Sequence, residues 1–270
     1  MKDKDFQYDN GRVITCSLFA ATGVVRHGFS TRIGGVSADA FSSLNLGMHT
    51  EDDRENVQHN FSLFCRDLSI SPEHLVLAEQ VHETHIHKAS ISDCGKGIYQ
   101  ETDLAGVDGL ITGEPGVALA TFYADCTPIL LLDPVERVVA SVHSGWRGTV
   151  QKFARKAAFY MQKEYGSKRS NILAAMGPSI KQCHFEVGEE VYLDFAASFG
   201  TAAERVTRYK DGKYYIDTDS LNEMLLLEAG LSREHISICK ACTACREDLF
   251  FSHRKSGGKT GRMCAVIELL

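Results

Sequence analysis

Proline is scarce in this sequence, five residues in 270, and no proline- and serine-rich stretch divides it. Without a linker the reading is one domain over residues 1–270, long enough to bury one large core or two closely packed halves. Low-complexity segments and internal repeats are also lacking. No apolar run approaches the ~20 residues a membrane helix requires. The N-terminal stretch Met1–Phe6 is charged and has no apolar centre, so a secretory signal is not expected. Positive charge is not in excess: the formal net charge is −6, which argues against an electrostatic nucleic-acid binder. The nine cysteines are odd in number and scattered. The expectation is a cytoplasmic protein with reduced thiols, most of them buried as small hydrophobes.

What is present alternates between strand-like and helix-like patterns. Residues 23–29 read as a strand running into the turn-rich segment 30–37. A helical period runs through Val57, Phe61, Phe64 and Leu68. Leu75–Lys88 looks extended, and Asp108–Gly113 reads as a short strand ending in a turn. Two apolar runs follow, 117–124 and 138–142. Thr149 is placed to cap a helix whose buried stripe is Val150, Phe153, Ala154, Ala157 and Met161, ending near Gly166. Residues 172–176 read as a strand and 187–199 as a helix. Asp217 or Ser220 opens another helix through Leu221, Met224, Leu225 and Glu228, closed by Gly230. Residues 236–239 and 263–269 are final strands. Strands interleaved with helices imply an α/β or α+β fold with mixed sheets.

Two short segments carry the chemistry. Cys126 ends the first apolar run and His143 the second, about one strand, one turn and one strand apart, so both reach the same end of a sheet. As a zinc pair they need at least one more protein ligand and an open position. His82, His85, His87 and Asp125 are the candidates, and spacing does not choose among them. In an extended segment His85 and His87 face one way and His82 the other. Cys126 with His143 as its base is equally the arrangement of a thiol hydrolase without metal. His143-Ser-Gly-Trp-Arg-Gly-Thr149 reads as a strand-to-helix turn. Its backbone N–H groups and Arg147 would suit a phosphate or carboxylate.

Several patterns only mimic known motifs. Cys239-Lys-Ala-Cys242-Thr-Ala-Cys245 has part of the spacing of an iron–sulfur run, but position 249 is Leu249 and no proline follows. Structural thiols are the expectation there. Gly258-Lys-Thr260 resembles the tail of a phosphate loop, but its required earlier glycine is His253. His184-Phe-Glu186 copies one half of the zinc deaminase signature, and neither C-x-x-C here follows a proline. Eleven histidines include a single H-x-H pair, His85-Ile-His87, too few for the copper sites of a conventional laccase.

A further set of segments, in order, covers most of the chain. They are His27-Gly-Phe-Ser-Thr-Arg32, Gly34-Gly-Val-Ser37, Ser43-Leu-Asn-Leu-Gly47, Gln80-Val-His82 and Asp108-Gly-Leu-Ile-Thr112. Ala124-Asp-Cys-Thr-Pro128, the segment 143–149, Gly177-Pro-Ser-Ile180, Phe185-Glu-Val-Gly188 and Cys242-Thr243 continue them. Phe250-Phe-Ser-His-Arg254 and Thr260-Gly-Arg262 end the series. Together they resemble the YfiH-like family, whose members have been labelled laccase-domain proteins, polyphenol oxidases and purine nucleoside phosphorylases.

The resemblance implies a mixed α/β fold grouped with bacterial toxin catalytic domains. It implies zinc, with copper as the alternative, held by His82, Cys126 and His143. Ser144 stands where many relatives have alanine, and His253 is given no role. The implied reaction is phosphorolysis of adenosine, inosine or 5′-methylthioadenosine, with adenosine deamination beside it. Arg147 is the first candidate for phosphate, with Arg32 and Arg254 after it. Asp125 would orient a ligand histidine or serve as acid/base. The expected partners are small molecules, a purine nucleoside and phosphate, acting on a monomer or homodimer. The rival expectations are a Cys126–His143 hydrolase or amidase, such as one that edits cell-wall precursors, and a copper-dependent phenol oxidase.

Overall fold

Alternation along two long hydrophobic strands builds the architecture. In the computed structural model, which describes residues 4–270, fifteen strands follow in chain order among the described residues. They are β1 (Phe6–Asp9), β2 (Val13–Cys16), β3 (Val25–Ser30), β4 (Leu75–Leu77), β5 (Ile86–Lys88), β6 (Gly109–Thr112), β7 (Ala118–Tyr123) and β8 (Thr127–Asp133). Then come β9 (Val138–Ser144), β10 (Leu173–Met176), β11 (Glu186–Val187), β12 (Thr207–Lys210), β13 (Lys213–Ile216), β14 (Ile236–Ile238) and β15 (Met263–Leu269). Residues 1–3 of the charged N-terminal stretch lie outside the described residues.

One sheet has the order β1-β2-β3-β15-β7-β4 and a second β14-β10-β8-β9-β6-β5. Both are mixed. Each is largely antiparallel, with parallel pairs β4–β7, β10–β14 and β5–β6. A small third sheet runs β11-β13-β12.

Every residue of β8 is buried, so both its faces are covered. Leu130 and Leu132 point into a core shared with Leu119 and Tyr123 of β7 and Ala265 and Ile267 of β15. Ile129 and Leu131 point the other way, under the helices Phe153–Tyr165 and Thr218–Glu228. On β7, Ala118 and Ala120 turn outward beneath Phe61 and Phe64 of the helix Arg54–Leu68. The result is four layers, helix, sheet, sheet and helices. Between the sheets the hydroxyls of Thr121 and Ser141 lie 2.7 Å apart, a satisfied polar pair inside an otherwise apolar layer.

Helix Arg54–Leu68 follows its sequence period, with Asp53 accepting from the Glu55 N–H at its start. Asp217 likewise caps the helix Thr218–Glu228 by accepting from the Ser220 N–H.

Two readings need correction, and one sheet went unread. Leu75–Lys88 is not one extended segment: β4 and β5 belong to different sheets, and the loop between them turns at His82, whose φ is +65°. The side-chain alternation argument across it therefore fails. The helix at Thr149 is broken in two. A single turn, Trp146–Val150, is followed by Lys152 at φ +63° and the main helix Phe153–Tyr165. Thr149 caps nothing there: its hydroxyl donates to the Gly145 carbonyl. The third sheet, built from short half-exposed strands, left no periodic trace in the sequence.

Candidate active site

The β8–β9 hairpin brings the two site residues together through its register. Pro128 pairs with His143, and Cys126 immediately precedes β8. Both therefore stand at one end of the second sheet. His82 arrives from the β4–β5 loop. One ligand atom from each of His82, Cys126 and His143 lies within 4.8 Å of the other two. The rings of His82 and His143 meet edge to face at 4.9 Å between centroids. Of the four candidates for a third ligand, the geometry thus selects His82. His87 is committed to Asp93 at 3.1 Å, and His85 is not part of the group.

Asp108 organises this set. Its Oδ1 accepts from the Nδ1–H of His143 at 2.9 Å, which turns the other ring nitrogen toward the cluster. The same carboxylate accepts from the backbone N–H groups of Val81, His82 and Glu83. One buried Asp so fixes a histidine tautomer and the loop that carries the other histidine. Asp125 was expected either to orient a ligand histidine or to serve as acid/base; the carboxylate that holds His143 is Asp108. The clue was available: Asp108 stands at the mouth of a short apolar strand, where an acidic residue needs a partner.

Asp125 occupies another position. It adopts φ +90°, and its two carboxylate oxygens accept from the Thr243 hydroxyl at 2.6 Å and the Arg254 N–H at 2.7 Å. It is the one carboxylate lining the cavity among the described residues. His82 and Asp125 are both non-glycine residues in the left-handed region, a strain of about 1–3 kcal/mol each that the surrounding hydrogen bonds sustain.

Charge at the cluster is coupled. Burial alone would raise the Cys126 thiol, but the charge of His143 and hydrogen bonds from His143 and His82 outweigh it and bring the thiol down to about 6. For His143, burial disfavours the cation, yet the Cys126 thiolate and the Asp108 carboxylate raise it to about 9. Asp108 is itself held below the usual carboxylate range, its burial offset by His143 and the loop amides. Gly145 is closely approached: a Cβ there would sit 3.1 Å from both Cys126 Sγ and His82 Cδ2, so a larger residue would press on the cluster.

The cluster opens into a cavity of about 470 Å³, within the size range of small-molecule sites. Arg147, Arg254 and Arg262 line it, with Trp146, Phe122 and Phe185 as aromatic walls. Arg147 stacks on Trp146 at 4.3 Å. Arg254 donates to the His184 carbonyl. Arg262 went unassigned in the sequence. Burial lowers its pKa against the opposing pull of Cys126 and Asp125. Arg32 does not reach the cavity. Its guanidinium donates to the carbonyls of Ser42 and Glu247 and packs over Phe251, so its role is structural. The helix after Gly145 is one turn long, so its end carries little dipole, and the positive groups at the cavity are the arginines.

Fold and site together define an α/β protein of two packed mixed sheets, with a metal-capable His2Cys set at the base of a cationic cavity. Residues 26–270 match the family described as multi-copper polyphenol oxidoreductase laccase, and the chain belongs to that family. The purine nucleoside phosphorylase YlmD of Bacillus subtilis (strain 168) is 36% identical over 90% of this chain and 87% of its own length. Adenosine deaminase RL5, from an unknown prokaryotic organism, is 35% identical over 87% of this chain and 90% of its own. The crystal structure of Bacillus licheniformis hypothetical protein YfiH superposes with a TM-score of 0.93 at 33% identity, covering 99% of this chain and all of that one. The YfiH-like resemblance and the mixed α/β fold class are borne out. Among the described residues no helix is long and apolar enough to cross a membrane.

Proposed function

We propose that the chain is a cytoplasmic purine nucleoside phosphorylase acting as one catalytic domain. It converts adenosine or inosine, and 5′-methylthioadenosine, with phosphate into the free base and ribose 1-phosphate. Adenosine deamination is a second activity of the same cavity. The observation that carries this reading is the convergence of His82, Cys126 and His143 with three arginines around a single nucleoside-sized cavity. The names of its relatives agree with it.

The donor set fits zinc: two imidazoles and one thiolate, one imidazole oriented by a carboxylate, and a cavity at the remaining side. Copper fits the same donors. A cation held there supplies Lewis acidity next to substrate. Arg147 and Arg254 bind phosphate, with Arg262 behind them, and hold its oxygen against the sugar C1′. That oxygen forms the new C1′–O bond as the C1′–N9 bond breaks and its electron pair departs with the purine. Trp146 and Phe185 offer flat faces for the base. Asp125, the cavity's carboxylate, is assigned to proton transfer. Three arginines lining the cavity favour an anionic co-substrate.

A second reading has its own observation. Cys126 and His143 lie side by side, and each favours the charged form of the other, so the pair offers the thiolate and imidazolium that a cysteine hydrolase or amidase uses. Product analysis with adenosine, with and without phosphate, separates the readings. Adenine and ribose 1-phosphate formed only with phosphate, and lost in Cys126→Ala, establish the phosphorylase. Inosine formed without phosphate makes the protein a deaminase. No turnover from zinc- or copper-loaded protein, with amide hydrolysis that survives chelators, makes it the hydrolase. Phenol oxidation dependent on copper alone would instead favour the oxidase.

A further inference from the structure

A second cluster of metal-capable side chains stands outside the cavity, where the sequence pattern C-x2-C-x2-C suggested only structural thiols. Its members come from two turns that face each other. Cys183 and His184 lie in the turn before β11, closed by the His184 and Phe185 N–H groups on the Lys181 carbonyl. Cys242 and Cys245 lie in the turn after β14, closed by the Cys245 and Arg246 N–H groups on the Cys242 carbonyl. The Lys181 N–H points at Cys242 Sγ at 3.4 Å, as backbone amides do toward a thiolate that ligates a metal. Cys239, first in the sequence run, is not a member: its sulfur lies 3.8 Å from the Tyr8 hydroxyl.

From these positions we infer a second metal site, a closed Cys3His site for zinc formed by Cys183, His184, Cys242 and Cys245. All four ligand atoms lie within 4.8 Å of one another. A tetrahedral zinc with bonds of about 2.3 Å to sulfur and about 2.0 Å to nitrogen sets sulfur–sulfur edges near ~3.8 Å and sulfur–nitrogen edges near ~3.5 Å. Cys183 Sγ is 3.7 Å from Cys242 Sγ and 3.6 Å from Cys245 Sγ. His184 Nδ1 lies 3.2, 3.9 and 3.3 Å from the sulfurs of Cys183, Cys242 and Cys245. Cys183 stands almost equally far from two partners, the arrangement of a shared centre and not of one disulfide. Sulfur and imidazole donors select zinc over magnesium or calcium, which take oxygen.

Four protein ligands leave no open position, so the site is a clip and not a reaction centre. What it clips is the cavity wall. The His184 carbonyl accepts from Arg254, and Thr243, next to Cys242, donates to Asp125. The inference does not depend on which reaction the cavity performs.

Two measurements test it. Metal analysis of zinc-loaded, dialysed Cys126→Ala protein reads this site with the cavity set disabled. About one zinc per chain is expected, falling to about none when Cys183→Ser and Cys245→Ser are added. Less than about a tenth of a zinc in the Cys126→Ala protein would overturn the inference. Because the serine variants could fail to fold, anomalous diffraction at the zinc edge on wild-type crystals gives a second readout. A peak enclosed by the four named side chains supports the site. A peak confined to the His82, Cys126 and His143 group, or a disulfide from Cys183 in reduced zinc-loaded protein, overturns it.

Discussion

Two strands of this molecule each carry a buried histidine with an arginine just beyond the strand, and the two do different work. His27 lies inside β3, with Arg32 past its end; His143 lies near the end of β9, with Arg147 past it. Both histidines are 4% exposed. His27 accepts a hydrogen bond from the Cys16 N–H and packs against Phe19, and burial lowers its pKa to about 4. His143 faces a carboxylate and a thiolate, and its pKa rises to about 9. Arg32 spends its donors on backbone carbonyls, while Arg147 stands at the cavity. Burial alone makes a neutral structural histidine. Reactivity comes from the charged partners that a neighbouring loop delivers.

The largest expected effect falls on the reactive side. Cys126→Ala should lower kcat/KM for the cavity's reaction by about a thousandfold or more and remove one metal equivalent, read by steady-state kinetics with metal analysis. An active Cys126→Ala enzyme would break the contrast between the two histidines. Asp108→Asn should cost about 10–100-fold in metal affinity or activity, because His143 and the His82 loop lose the carboxylate that positions them. Asp125→Asn should leave metal affinity unchanged, which equilibrium metal competition would check.

On the structural side the expected signal is in stability. At pH 7 the His27 ring is neutral in both folded and unfolded chains. Below its ordinary value of 6.5 the unfolded chain takes up the proton first, so stability falls until pH about 4, where the folded ring also protonates. The linkage amounts to about 3 kcal/mol across that window. Urea unfolding at pH 7 and at about pH 4.5 should show it, and His27→Gln should flatten the dependence while leaving kinetics at pH 7 unchanged. Among the arginines, Arg147→Ala should raise KM for phosphate about tenfold. Arg32→Ala should leave that KM alone and lower stability by about 1–2 kcal/mol, a contrast that initial-rate kinetics and thermal unfolding would measure together.

Much of the scaffold could be read locally. The helical stripe Val57, Phe61, Phe64 and Leu68 is buried as its period implies, and the closing strand occupies Met263–Leu269. Cys126 and His143 were also legible, because each stands at the edge of an apolar run and hairpin length sets where the two edges meet. The region from Leu75 to Lys88 was not, since its turn depends on Asp108, a residue outside it that holds three of its amides. Arg32 was ranked behind Arg147 but not excluded for a related reason: what an arginine binds is set by which carbonyls and cavities surround it.

By itself, then, the sequence determined the mixed α/β class, the alternating faces of its strands and the two residues at the heart of the site. Those properties follow from side-chain period and from neighbours along the chain. His82 was left open by spacing and named by the family resemblance, and the fold brings it to the other two. Only the tertiary structure decided that Asp108 holds His143 and that Cys183 and His184 meet Cys242 and Cys245. Each of those is a contact between segments far apart in sequence, and its energy depends on burial and on partners that exist only once the sheets have packed.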